Sequence, residues 1–317
     1  MKTLMRALAM ATALILMTGA TAVAAPSATT GAARDVTATS AKLNGSVDPN
    51  NQATSYYFEY GTTRRYGSRT GDASAGSGGA PRAVSADVGG LQPNTVYHYR
   101  LVASNPSGVS SGDDRTFRTD RQPLGLAIAA TPNPVVFGSP TTITGTLTGT
   151  GNAGRQVQLQ HRAFPYTTDF ANLGNAVVTD AAGNFAIPLL PPAATAQYRV
   201  VATEGRDTVS PILTLGVAVR VKTNVSATRV KRGSRVRFSG TIRPARAGAQ
   251  WAIQKATRDG RWVTVAGSIT RGGSANFSGF SKKVRIPRGG RYRVFVLIVD
   301  GNLTSGIGRE ITISTRR

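Results

Sequence analysis

The sequence predicts an all-β chain: three tandem β-sandwich domains after an N-terminal export signal. Three observations lead there. Helical periodicity is nearly absent after residue 24. Short runs rich in Val, Ile, Thr, Tyr and Phe take its place, broken by Gly, Pro, Asn and Asp at the spacing of sandwich or barrel strands. The second half of the chain also repeats itself at an interval near 95 residues, far longer than a solenoid unit and suited to an independently packed sandwich.

The chain opens with Lys2 and Arg6, an apolar stretch Ala7–Met17, and the small-residue pattern Ala22-Val23-Ala24. This order reads as a secretory signal peptide over residues 1–24. Its apolar run is shorter than the roughly 20 residues that a membrane-spanning helix needs. No later run is apolar enough to span a membrane, no Cys follows to carry a lipid, and no sorting motif or hydrophobic tail precedes Arg317. The expectation is a secreted protein, extracellular or held on the cell envelope by non-covalent contacts. With no cysteine in the chain, thiol nucleophiles, disulfides and Cys-based zinc sites are excluded, and apolar packing must carry stability.

Residues 26–120 form the first unit. They hold Ala41-Lys42-Leu43-Asn44-Gly45, the run Tyr56-Tyr57-Phe58-Glu59-Tyr60, and Leu91-Gln92-Pro93-Asn94-Thr95-Val96-Tyr97. In these segments and their order the unit resembles a bacterial fibronectin type III domain. The resemblance implies that Tyr97 sits at a strand corner with its hydroxyl capping backbone upstream. The Gly-, Ser- and Ala-rich stretch 71–80 is expected to be a flexible loop inside this domain.

Residues 121–219 and 220–317 are copies of each other. Gly138-Ser139 and Ile143-Thr144-Gly145-Thr146-Leu147 align with Gly233-Ser234 and Phe238-Ser239-Gly240-Thr241-Ile242; Asn184-Phe185 aligns with Asn276-Phe277, and Tyr198-Arg199-Val200 with Tyr292-Arg293-Val294. Both resemble the immunoglobulin-like repeats of bacterial surface proteins.

Charge separates the three units. Residues 26–120 hold 9 basic and 8 acidic side chains, and residues 121–219 hold 5 and 4. Residues 220–317 hold 22 basic and 3 acidic, a net of +19 out of +23 for the whole chain. An Arg-rich genome bias acts on all three alike and leaves this imbalance unexplained. Domains of this size ordinarily carry a net charge of roughly 2 to 8, so a partner of opposite charge is expected to offset the self-repulsion. Alternation along the strands sends Arg220 and Lys222, Arg235 and Arg237, and Lys283 and Arg285 outward. If their three strands share a sheet, these six form a basic face suited to phosphate or carboxylate. Lys231, Arg232, Arg288 and Arg291 add charge in loops. The expected partner is an anionic polymer outside the cell: a cell-wall polyanion, an acidic polysaccharide or extracellular DNA, without sequence-specific reading of nucleic acid. The alternative is a purely structural spacer, matrix or adhesion protein acting through protein contacts.

Little points to catalysis. Of the two histidines, His98 alternates away from Tyr97 and Tyr99, and His161 has no acid or His at metal-binding spacing. Asp113-Asp114 lacks the further oxygen ligands of a calcium site. Trp251 aligns with Val157 and is expected in the core; Trp262 follows the Asp259-Gly260 turn and is a candidate either for the core or for a stacking platform. A non-enzymatic protein without a cofactor or metal is expected.

Overall fold

The computed structural model describes residues 24–203 and 207–316, and every described element is a strand. The signal assigned to residues 1–24 lies, Ala24 apart, outside the described residues. No helix among the described residues is long and apolar enough to cross a membrane. The chain divides between Gln122 and Pro123 into two compact units.

The first unit is a two-sheet β-sandwich. One sheet joins Ser27–Thr30, Ser40–Asp48 and Arg82–Gly89, all antiparallel. The other is centred on Thr54–Gly61 and Val96–Asn105, with Gly108–Ser111 and Arg115–Arg118 paired to the latter. Period-two burial builds the core: Tyr97, Tyr99, Leu101 and Ala103 point in from one strand and meet Leu43, Val47 and Phe58. Tyr97 makes the corner that the resemblance implies. Its hydroxyl accepts the Gln92 backbone N–H at 2.9 Å, and its ring stacks on Phe117 with centroids 5.7 Å apart. Stretch 71–80 departs from the expectation of a loop. Ala73–Gly76 is an edge strand paired with Thr54–Tyr56, and Ala75 is buried, because its small side chains fit close against the core.

The second unit carries two sandwiches in succession. In the first, Gly125–Thr131, Thr141–Thr148 and Asn184–Leu189 make one sheet, and Gln156–Ala163 and Ala196–Ala202 centre the other. In the second, Arg220–Val225, Arg235–Arg243, Phe277–Arg285 and Arg271–Ser274 form a four-stranded sheet. Its partner sheet is centred on Gln250–Ala256 and Gly290–Leu297, with Trp262–Ile269 along one edge. The two sheets meet through Trp251 against Phe280 (4.8 Å) and Phe238 against Tyr292 (5.9 Å).

Register corrects one alignment between the copies. Gly145 lies opposite Phe185 and Gly240 opposite Phe280. A Cβ on either glycine would stand 2.2 or 2.6 Å from the facing ring, so each Phe packs directly on bare backbone. Phe280, not Phe277, is therefore the counterpart of Phe185. Phe277 lies three residues earlier, half-buried on the outward face.

The two sandwiches of this unit are stitched at Val217–Val219. Val135 pairs with Val217 on one side. On the other, Thr304 N–H donates to Val217 O at 2.8 Å and Val219 N–H donates to Thr304 O at 3.1 Å. Val217 and Val219 are buried in a core that runs through both sandwiches, and Ala218 between them is buried too. The expected boundary at residues 219/220 falls at the end of this stitched segment.

Candidate functional site

The three strands expected to present the basic face are neighbours in one sheet, in the order Arg220–Val225, Arg235–Arg243, Phe277–Arg285. Val236, Phe238 and Ile242 are buried inward, which turns Arg235, Arg237, Ser239, Thr241 and Arg243 outward. Arg235 stands opposite Arg285 and Arg237 opposite Lys283, making a square of four cations. Neighbours along a strand are about 7 Å apart and those across it about 5 Å. Arg220 stands opposite Arg243 and Lys222 opposite Thr241, about 20 and about 13 Å respectively along the central strand from Arg237 of that square. Between the two groups lie the neutral Asn224, Ser239 and Ser281. The face thus holds two basic clusters rather than one continuous surface.

Arg243 extends the period-two run of its own strand, and sequence reasoning passed over it although the same alternation predicts it. Arg271, opposite Gly279, faces the same way. Arg220 is also tied down: its Nε donates to Phe137 O at 2.9 Å and its Nη2 to Ser139 Oγ at 3.0 Å, both in the preceding sandwich.

The three carboxylates of residues 220–317 are committed elsewhere. Asp259 pairs with Arg261 at 2.6 Å, Asp300 with Arg246 at 3.2 Å and Glu310 with Arg291 at 2.9 Å. Among the described residues, no carboxylate lies within ion-pair distance of Arg235, Arg237, Lys283 or Arg285. Lys282, next along the chain, points to the sandwich interior side and donates to Gly267 O. Of the basic loop residues, Arg232 donates to Pro287 O at 3.1 Å, and the Arg288 carbonyl accepts Lys255 Nζ at 2.9 Å.

The two tryptophans separate. Trp251 is buried in the core. Trp262 is half-buried beneath two arginines, with the Arg293 and Arg291 guanidinium carbons 4.2 and 5.7 Å from its ring centre.

A second polar cluster lies in the first unit, and sequence spacing did not show it. His98 and Asp114, on neighbouring segments, meet at 2.8 Å between Nδ1 and Oδ2. Tyr66 Oη donates to Asp114 Oδ1 at 3.1 Å, and Arg64 Nε lies 3.3 Å from Oδ2. Burial pushes the Asp114 carboxyl up, but the hydrogen bonds of His98 and Tyr66 outweigh it and hold the group below the usual carboxylate range. His161 points inward, stacked on Tyr198 at 6.2 Å, with its Nδ1 buried and unpartnered. Among the described residues no group of three acids, histidines or cysteines is placed to hold a metal ion.

No known family profile matches the chain, and no curated protein matches it. Among solved structures, it is similar to the FN1–FN3 domains of chicken CNTN1 at 17% identity, covering 91% of this chain and 99% of that one, with a TM-score of 0.32. It is similar to a tetra-tandem repeat from the extending region of a large adhesion protein at 14% identity, 92% and 75% coverage, and a TM-score of 0.30. The sensor domain of the anti-sigma factor RsgI4 of Pseudobacteroides cellulosolvens matches at 22% identity over 30% of this chain and 89% of that one, with a TM-score of 0.22.

Proposed function

We propose that this is an exported, non-catalytic binding protein whose C-terminal sandwich docks on an anionic polymer outside the cell. One observation carries the reading: the square Arg235, Arg237, Lys283 and Arg285 is exposed on one sheet face, while every acid of the same sandwich is paired elsewhere. Four like charges at this spacing repel one another, and a polyanion that binds them relieves the repulsion while its own condensed counterions are released to solution. The first two sandwiches, close to neutral, serve as the spacer.

A second reading, assembly through protein contacts, is favoured by the opposite sheet of the same sandwich. Its outer side exposes Ile269, Leu297 and Ile307, and the edge strand Trp262–Ile269 carries exposed Val263 and Val265.

The test compares the mature chain with a variant bearing Arg235→Glu, Arg237→Glu, Lys283→Glu and Arg285→Glu, each on purified cell envelopes over a salt series. The full chain is used because residues 123–317 share one core. Docking through charge predicts release by salt and loss of binding in the variant. Binding by both proteins that persists in high salt and yields only to denaturant supports the protein-contact reading instead.

A further inference from the structure

Strands Arg220–Val225 and Arg235–Arg243 enclose a groove of about 460 Å³, lined by Arg220, Lys222, Asn224, Thr241, Arg243 and Phe277. The preceding sandwich has a depression at the same place, between Ala127 and Thr146, beside Gly145. The pairing is the same in both: Gly125 with Thr148 and Ala127 with Thr146 in one, Arg220 with Arg243 and Lys222 with Thr241 in the other. The backbone trough therefore belongs to the repeat, while the three cations belong to the C-terminal copy alone, at positions where its sister has Gly125, Ala127 and Thr148.

Two further features set this groove apart from the square of cations. The Phe277 ring rests on Gly273, where a Cβ would come within 2.5 Å of it, so bare glycine backbone seats the ring at the groove. Arg220 is held by its two bonds to Phe137 and Ser139, which leaves Nη1 for a ligand at little further entropic cost. The square has no aromatic residue.

We propose that this groove is a subsite for one residue of an anionic polysaccharide. The sugar ring lies against Phe277, its acid group meets Arg220, Lys222 and Arg243, and Asn224 and Thr241 face its hydroxyls. Volume and lining fit: the groove has room for a single sugar ring, with one apolar wall and a few convergent polar groups. The proposal rests on the polyanion reading above and narrows it. The groove recognises the sugar, and the square supplies charge without selectivity.

The experiment measures binding of the mature chain, by calorimetry, to a galacturonate oligomer and to inorganic polyphosphate of matched charge. The oligomer is expected to bind more tightly, by roughly three- to tenfold, the contribution of one stacked ring. Phe277→Ala abolishes that preference and leaves polyphosphate binding unchanged; Phe277→Leu, which keeps most of the volume, guards against a folding defect and behaves the same way. Equal affinity for the two probes, or an equal loss of both in Phe277→Ala, overturns the subsite and leaves the polyanion reading standing. A preference for polyphosphate or a single-stranded oligonucleotide overturns it in favour of a phosphate polymer. Failure of all probes to bind overturns both.

Discussion

Arg293 lies over Trp262, its guanidinium carbon 4.2 Å from the ring centre, while its Nε donates to Gln254 Oε1 at 2.9 Å. The preceding sandwich repeats the device: Arg199 donates to Gln160 at 2.8 Å and sits 4.4 Å from the Phe170 ring centre. So does the first unit, with Arg100 on Glu59 at 2.7 Å and 5.0 Å from Tyr66. An arginine clamped between a cross-strand acceptor and an aromatic ring is thus part of how each sandwich is built. The arginines of the C-terminal copy fall into two groups, one that holds the fold and one that is left facing solvent.

That division gives a first prediction. Arg293→Ala removes a cation–π contact and a cross-strand hydrogen bond, and is expected to cost about 1 to 2 kcal/mol. Denaturant unfolding measures the loss, and polyanion affinity should hardly change. A large fall in affinity with intact stability would place Arg293 in the binding surface.

Glycine under the core phenylalanine gives a second. At Gly240 a Cβ would meet Lys222 O at 1.9 Å and the Phe280 ring at 2.6 Å. Gly240→Ala should therefore destabilise the second unit by about 1 to 3 kcal/mol through overpacking, and Gly145→Ala should act alike. The urea midpoint of the second unit reports both, and the first unit's transition should not move.

The Asp114 cluster gives a third, with a defined pH window. The carboxyl is held below its unfolded value, so its contribution is complete above the unfolded pKa of about 4. It disappears as pH falls through the lower folded value. Asp114→Asn should therefore lower the melting temperature of the first unit near neutrality. The gap from the parent should narrow steadily below pH 4. A constant gap from pH 7 to pH 2 would show that the carboxylate charge is not what Asp114 contributes.

The Tyr97 corner gives a fourth. Tyr97→Phe leaves the Gln92 N–H without its acceptor and should cost about 1 kcal/mol, read from the unfolding of the first unit.

The sequence carried most of the fold because these strands alternate cleanly. The inward row of Val236 and Phe238 follows from a period of two, and the Tyr97 corner from the resemblance to a fibronectin type III domain. Where the pattern failed, the cause was specific. Small residues at Ala73–Gly76 looked like a loop, yet they pair as an edge strand because tight packing against the core needs no bulk. Phe277 and Phe280, three apart, offered two alignments with Phe185, and only the cross-strand register with Gly240 decides between them. Alternation fixed which side of the sheet each basic residue takes. It carried no information about Arg220 and its acceptors Phe137 and Ser139, more than eighty positions earlier. The contact between His98 and Asp114 was equally invisible, because it joins a strand to the loop just before Arg115–Arg118 rather than two positions of a spaced motif.

The most direct test of the central claim is the salt dependence of binding to a defined polyanion, a galacturonate polymer, for the mature chain and for the variant with Glu at 235, 237, 283 and 285. The parent should show a linear fall of log affinity with log salt, and the variant a slope shallower by roughly three to four, one unit for each phosphate- or carboxylate-paired cation removed. Equal slopes for the two proteins, or affinity that does not respond to salt, would contradict docking through this face.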